Sequence, residues 1–369
     1  MIARLVRLTL WLASALAWVA FAVICTQGVT APGAFDATER GLLDLTVRLV
    51  SHGPLYTTPV ALDAPALLPG FPLVAAVLVD ALGPHLLWLR LISLCAILGL
   101  ALGATAIVHE ETSNRTLAGA SGGLLLLGYA LLAGNPAAAR TEPLMLLLAL
   151  GGGLALRSMP GATGGLIAAL MVSAACFTQS QAVWFAVAVF FYLTREDRGR
   201  LVPFTLGTAV FLGGGHVLLS YYLGPWFNYH AWDLPLQSLH FDGPALLHFV
   251  GGQLLGTLGV LTVMTVFSFA LPTRPWMGPG GLWSCIGLGA LGAGLFATQS
   301  LSPEPQGLAF CAVALALVGP IAMHRVSQHL AAWPDSSRVA GEGTVLVALV
   351  LQFVAMYSGV PPALLFPRA

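Results

Sequence analysis

Long hydrophobic runs separated by short polar groups recur from one end of the chain to the other. A helix needs about 20 mostly apolar residues to cross the hydrocarbon core of a bilayer. The first run, about Leu5 to Cys25, and those that follow it predict about eleven membrane-spanning helices. The later spans are expected near 85–108, 117–134, 143–157, 163–176, 182–194, 201–223, 246–271, 281–298, 307–324 and 343–358. The pattern thus predicts an all-α polytopic membrane protein.

The segment between the first two spans, residues 30–84, is expected to form a large outer loop. Within it, Asp36 to Val50 mixes leucines and valines with charged residues, which is typical of an amphipathic interfacial helix. Leu67–Leu82 is apolar but begins with several prolines, so we place it along the outer surface rather than across the membrane. The whole chain, 1–369, is expected to be one membrane domain without a soluble carboxyl-terminal domain.

Composition supports the membrane assignment and excludes several functions. Only 8% of the residues are charged, 57% are hydrophobic and the mean hydropathy is +0.87, whereas a soluble domain carries about 25% charged residues. The net charge is zero, which gives no reason to expect nucleic-acid binding. The chain contains no lysine, and this excludes a lysine nucleophile or Schiff base.

The arginines predict the orientation. With the amino terminus in the cytoplasm, ten arginines lie on the inner side: Arg4, Arg7, Arg115, Arg157, Arg195, Arg198, Arg200, Arg274, Arg325 and Arg338. Five fall outside or near the outer face: Arg40, Arg48, Arg90, Arg140 and Arg368. Because cytoplasmic loops of membrane proteins are enriched in basic residues, this bias predicts a multi-pass membrane protein with a cytoplasmic amino terminus.

Two carboxylates begin the amphipathic segment of the outer loop. Asp36 and Glu39 are three residues apart, which places both on one face of a helix. One could accept a proton from an attacking hydroxyl while the other positions it or binds a divalent cation; two carboxylates alone do not establish a metal site. The alternative is structural, since Asp36 is also a suitable N-cap and acidic residues favour a first helical turn.

Three further polar groups fall on the outer side. Arg140 and Glu142 precede a span, where a guanidinium suits a phosphate group or simply anchors the helix end. Gln179 belongs to a polar turn, 178–181, that could bind sugar oxygens or cap two helices. The segment 224–240 combines aromatic rings with hydrogen-bonding side chains, among them Tyr229, His230 and His240. It suits sugar or headgroup binding, or a lipid-facing aromatic belt. The remaining histidines, such as His216, are scattered.

Several stretches, in order over residues 30 to 270, resemble bacterial membrane glycosyltransferases of the GT-C superfamily, such as protein mannosyltransferases and the lipid A aminoarabinose transferase. The matching stretches are ERGLLDLTVRLVSHGPLYTTP, LVDALGPHLLWLRLIS, HEETSNRTLAG, AARTEPLMLLLAL, FTQSQAVWF and GPWFNYHAWDLPLQSLH. The resemblance implies a first span, an outer loop with juxtamembrane helices and a multi-span bundle. It also implies sugar transfer from a polyprenyl-phosphate donor to an acceptor whose identity the sequence does not reveal.

The resemblance assigns roles by position. Asp36 and Glu39 fall in the acidic motif expected to hold the base, and Arg140 would contact the donor phosphate with Glu142 orienting it. Gln179 stands where related chains often have a lysine, so the positive charge expected there is missing.

The rival interpretation is a non-enzymatic transporter of lipids or lipid-linked glycans, or an inactive GT-C-like subunit of an envelope complex. A transporter is expected to carry polar residues through the middle of its bundle. Here the polar groups gather at one face, which favours the enzyme.

Overall fold

In a computed structural model of the protein, the structure describes residues 2–56, 67–132, 135–224, 226–234, 242–270, 279–298, 306–331 and 338–358. The helices in these ranges are α1 (Ile2–Val29), α2 (Ala37–Val50), α3 (Gly70–Leu82), α4 (Leu86–Thr112), α5 (Arg115–Leu132), α6 (Glu142–Ser158), α7 (Gly161–Thr178), α8 (Val183–Glu196), α9 (Arg198–Leu223), α10 (Gly243–Gly252), α11 (Leu255–Ala270), α12 (Pro279–Thr298), α13 (Gln306–Ala331) and α14 (Arg338–Ser358). A short helical segment covers residues 226–233.

The all-α polytopic fold class is confirmed. Within the described ranges, seven helices (α1, α4, α5, α7, α9, α12 and α13) are long and apolar enough to cross a membrane. The pair α10 and α11, bent by 79°, is an eighth candidate. Each of the eleven predicted spans contains a helix, and for α6, α8 and α14 the crossing itself stays a prediction.

Helices α5 and α13 form the centre of the bundle, where hydroxyl groups join neighbouring helices. Ser14 of α1 donates to the carbonyl of Gly119 in α5 at 2.6 Å, and Ser121 donates to the carbonyl of Ala316 in α13 at 2.7 Å. A Cβ on Gly123 would lie 2.6 Å from the Ser14 hydroxyl, so α1 and α5 approach as closely as they do because this residue has no side chain.

The long helix α9 lies at the outside of the bundle. Its apolar side chains, among them Val202, Leu206, Val210 and Val217, are exposed along the whole helix. A soluble protein rarely exposes so large an apolar surface, whereas lipid tails would cover it at no cost. This surface agrees with a membrane location.

Helices α2 and α3 form a layer against the amino-terminal part of the bundle. Asp36 caps α2 by accepting a hydrogen bond from the Glu39 amide at 2.9 Å. Leu42 of α2 is fully buried against Phe71 of α3 and Leu89 of α4. Helix α3 has 13 residues, or about 20 Å, which is shorter than a span needs. Its placement along the outer surface stays a prediction.

Candidate functional site

Glu39 is fully buried and forms an ion pair with Arg90 of α4. The Arg90 Nε donates to Glu39 Oε1 and an Nη donates to Oε2, both at 2.8 Å. The amide of Ala139 donates to Oε1 and the amide of Phe35 donates to Oε2, also at 2.8 Å. An ionised carboxylate has about four acceptor positions. All four are therefore filled, and Glu39 could take a proton only by breaking one of these bonds.

The surroundings of Glu39 favour its ionised form. Burial by itself raises the pKa of this carboxyl group. The hydrogen bonds from Arg90, Ala139 and Phe35 and the positive charge of Arg90 act in the opposite direction and outweigh it, so the pKa lies below its ordinary value of 4.5.

Arg90 also donates hydrogen bonds to the backbone at the end of α1 and in the segment that follows it. Its Nη groups donate to four backbone carbonyls there, those of Gly28, Val29, Ala31 and Gly33, at distances of 3.3, 3.2, 2.7 and 2.5 Å. The Arg90 Cζ also lies 4.4 Å from the centre of the Phe35 ring. Arg90 thus joins the end of α1, the segment 30–36 and helix α2 to α4.

Asp36 faces a different cation. Its Oδ2 lies 2.5 Å from an Nη of Arg140, which is 104 residues further along the chain. The Asp36 side chain is 33% exposed and that of Arg140 is 12% exposed, so a molecule from solution can reach the pair. The Arg140 Nε is buried, and it has no hydrogen-bond partner among the residues that the structure describes. Ser93 of α4 holds the Arg140 backbone, since its hydroxyl donates to the carbonyl at 2.8 Å and accepts from the amide at 2.9 Å.

Asp36, Glu39 and Arg140, all predicted from the sequence, therefore meet in one region, but the two carboxylates have separate partners. The sequence also suggested that Asp36 might only cap α2, and the structure shows that it does so with Oδ1 while Oδ2 faces Arg140. Glu142 is the first residue of α6 and is buried. Its expected role in orienting Arg140 stays a prediction.

Gln179 ends α7, where its amide donates to the Ala175 carbonyl at 2.9 Å. Its side-chain Oε1 is buried and has no hydrogen-bond partner within the described part of the chain. The end of α7 packs directly on α3: a Cβ on Gly70 would lie 2.6 Å from the backbone of Phe177. Gln179 thus offers an unused polar acceptor in a tightly packed turn, and it brings no positive charge.

A small pocket lies beside this turn. Its walls are largely apolar, with the Ser180 hydroxyl and the His216 ring as polar groups; the other lining residues are Leu68, Cys176, Phe177, Val183, Leu212, Phe227, Ala231 and Trp232. The Trp232 Nε1 donates to His216 Nδ1 at 3.2 Å. The tautomer that accepts this bond carries its proton on Nε2. In the sequence His216 is one of the scattered histidines. The hydrogen bond that joins it to the aromatic segment comes from Trp232, 16 residues further along the chain.

The aromatic segment 226–233 forms one wall of this pocket. The His230 ring stacks on Tyr56 with 4.8 Å between centroids, and burial lowers the pKa of His230, so this ring is neutral at neutral pH. Tyr229 makes edge contacts with Trp226 and with His230. The third predicted residue of this segment, His240, lies outside the described residues.

A divalent cation between Asp36 and Glu39 would have to displace hydrogen bonds of Glu39, because all four acceptor positions of this carboxylate are already filled. Within the ranges that the structure describes, no three His, Cys, Asp or Glu side chains gather as a metal site would require.

Arg90 and Ser93 are not among the site residues predicted from the sequence. A signal for Arg90 was present, because an arginine inside an apolar run is costly unless it has a partner. The signal for Ser93 is weaker, since a serine in a membrane helix often bonds only to its own helix.

Comparisons with known proteins agree with this architecture. No family model and no curated protein matches the sequence. Two solved structures are similar over 96% of this chain and 76% of their own: the crystal structures of ArnT from Cupriavidus metallidurans, bound to undecaprenyl phosphate and in the apo state. The TM-score is 0.61 for both, with 16% and 14% sequence identity. The chain therefore has the fold of ArnT, in agreement with the fold that the resemblance of its sequence motifs implied.

Proposed function

We propose that the chain is a membrane glycosyltransferase that moves a sugar from a polyprenyl-phosphate donor to an acceptor at the outer face of the bacterial inner membrane. The observation that carries the proposal is the accessible pair of Asp36 and Arg140. It supplies a base and a phosphate-binding cation side by side, in a fold whose solved representative binds undecaprenyl phosphate.

In this reaction the acceptor hydroxyl attacks the anomeric carbon of the sugar. The new oxygen–carbon bond forms as the bond to the phosphate breaks, and the polyprenyl phosphate leaves with the bonding electrons. The hydroxyl proton has to go to a base, and negative charge grows on the leaving phosphate. The reaction therefore needs one accessible carboxylate and one cation.

We assign the base to Asp36 rather than Glu39. Asp36 is partly exposed, whereas Glu39 is fully buried and all its acceptor positions are filled. Arg140 is assigned to the leaving phosphate, because its guanidinium lies beside the partly exposed Asp36 and a guanidinium can bind phosphate through two donors.

Polar residues next to the pocket would complete the donor site. Gln179 directly precedes Ser180 of the pocket lining and is assigned to a sugar hydroxyl, while Tyr229 and His230 belong to the neighbouring aromatic segment. Because Gln179 is uncharged, Arg140 is the one cation assigned to the phosphate. Glu142 follows it at the start of α6.

The first test replaces the base. Asp36→Asn should lower sugar transfer by about a hundredfold to ten-thousandfold, the usual cost of losing a general base, with binding of undecaprenyl phosphate retained. The assay measures transfer of labelled sugar from a panel of polyprenyl-phosphate sugars by the purified protein in liposomes. Asp44→Asn is the matched control, because Asp44 lies on the same helix but pairs with Arg48 at the surface.

Three results separate the alternatives. Arg140→Ala should weaken binding of undecaprenyl phosphate, unlike the change at Asp36. Transfer that survives Asp36→Asn would rule out Asp36 as the base. A wild-type protein that binds donors but transfers nothing would indicate the inactive subunit or the transporter.

A further inference from the structure

The segment between α1 and α2 carries Asp36 at its end and has no regular secondary structure. Such a segment can place a side chain reproducibly only if other groups hold its backbone. The groups that hold it are contributed by Arg90, whose side chain is fully buried and cannot touch a substrate.

Arg90 fixes the chain on both sides of Asp36. On one side it binds the carbonyl of Gly33, three residues earlier. On the other side it binds the carboxylate of Glu39, three residues later. That carboxylate in turn accepts the amide of Phe35, the residue directly before Asp36. The backbone of Asp36 is therefore held within three residues in each direction.

The partner of Asp36 is held by the same helix. Ser93 lies three residues after Arg90 in α4, which places the two on neighbouring positions of one helical face. Its hydroxyl binds both the amide and the carbonyl of Arg140. One face of α4 thus sets the position of both Asp36 and Arg140.

We propose that Arg90 and Ser93 are positioning residues for the reaction: Arg90 acts through the segment 33–39 to aim Asp36, and Ser93 acts through the backbone to aim Arg140. This inference rests on the proposed function. Neither residue performs chemistry. A displacement of about 1 Å at a reacting group can lower the rate about a hundredfold. The planar guanidinium of Arg90 therefore affects the reaction rate without touching the substrate.

The proposal predicts opposite effects for two substitutions. Arg90→Lys keeps the charge but loses the planar fork, so the segment 33–39 moves while Ser93 still holds Arg140. The kcat should fall at least tenfold, with the Kd for undecaprenyl phosphate unchanged within threefold. Ser93→Ala releases Arg140 instead, and the Kd should rise at least tenfold. All values are expressed per molecule that binds donor at saturation, which corrects for loss of folded protein.

Amide hydrogen exchange gives a readout that does not depend on activity. Arg90→Lys should speed exchange at the amides of Phe35 and Glu39 but not at that of Arg140. Ser93→Ala should show the reverse. Thr105→Val is the matched control on α4, because the one hydrogen bond of the Thr105 hydroxyl among the described residues goes to the Ala101 carbonyl of its own helix. It should change neither exchange nor kinetics.

The outcomes are distinguishable. If both variants lower kcat and donor binding in parallel, or leave the three amides unchanged, Arg90 and Ser93 serve only the fold and the inference is wrong while the proposed function stands. If the wild-type protein neither binds undecaprenyl phosphate nor transfers sugar, the proposed function fails and the positioning role fails with it.

Discussion

At the scale of single residues, Asp36 and Glu39 are one helical turn apart and have opposite surroundings. Asp36 reaches the surface, while Glu39 lies in a closed network with Arg90. Burying two charges costs several kcal/mol per ion, and a buried pair is stable only if its remaining donors and acceptors are also satisfied. The four hydrogen bonds of Glu39 meet this requirement.

This network predicts a dependence of stability on pH. The pKa of Glu39 is lower in the folded protein than its ordinary value of 4.5. The stabilisation is therefore fully present above about pH 4.5 and is lost as the pH falls through the folded pKa. Glu39→Gln should lower the unfolding free energy at pH 7 by about 3–5 kcal/mol, the cost of breaking a buried ion pair. It should also flatten the acid dependence.

Thermal unfolding in detergent between pH 3 and pH 7 checks this prediction. Asp44→Asn is again the control, because its ion pair with Arg48 is largely exposed and contributes little. Parallel pH curves for the wild type and Glu39→Gln would contradict the role given to the buried pair.

At the scale of elements, the close contact of α3 with the end of α7 positions the turn that carries Gln179. A Cβ on Gly70 would lie 2.6 Å from the Phe177 carbonyl and 2.7 Å from the Thr178 amide nitrogen. Because both neighbours are backbone atoms, Gly70→Ala has to push the helices apart. We expect a loss of about 1–3 kcal/mol in unfolding free energy, as in other overpacked sites.

The matched control is Gly213→Ala in α9, where a Cβ meets nothing within 4 Å. Alanine is also the better helix former there, so its melting temperature should stay the same or rise. Equal melting temperatures for the wild type and Gly70→Ala would show that α3 and α7 can separate at no cost.

The helices were easier to predict than their contacts. Hydrophobic length predicted the positions of the spans, and the Asp36 cap predicted the start of α2. From the sequence, Arg90 is interpreted only as one of five charges near the outer face, because its place near the start of a span does not indicate a buried partner. Its partner is 51 residues away. The Tyr56–His230 stack joins still more distant segments. No local pattern indicates which of several polar groups will meet when their partners lie this far apart.

At the scale of the whole molecule, the apolar surface of α9 and the seven long apolar helices establish a multi-pass membrane protein. The orientation in the membrane stays a prediction from the arginine bias. With the amino terminus in the cytoplasm, the turn at Arg198 should lie inside and the end of α3 outside.

Cysteine labelling tests the orientation. Asp80→Cys and Arg198→Cys place thiols at exposed positions, in a background where the exposed Cys95 is replaced by serine. A membrane-impermeant maleimide added to spheroplasts should label position 80 and leave position 198 unlabelled until the membrane is opened. The opposite pattern would place the Asp36–Arg140 pair in the cytoplasm.

The network around Glu39 also has a consequence for how the protein is made. All of its members, from Gly28 to Arg140, belong to the first half of the chain. Chains emerge from the ribosome amino terminus first. The groups that arrange Asp36 against Arg140 are therefore synthesised before α7 and every later helix, so this arrangement can form while the second half of the protein is still being translated.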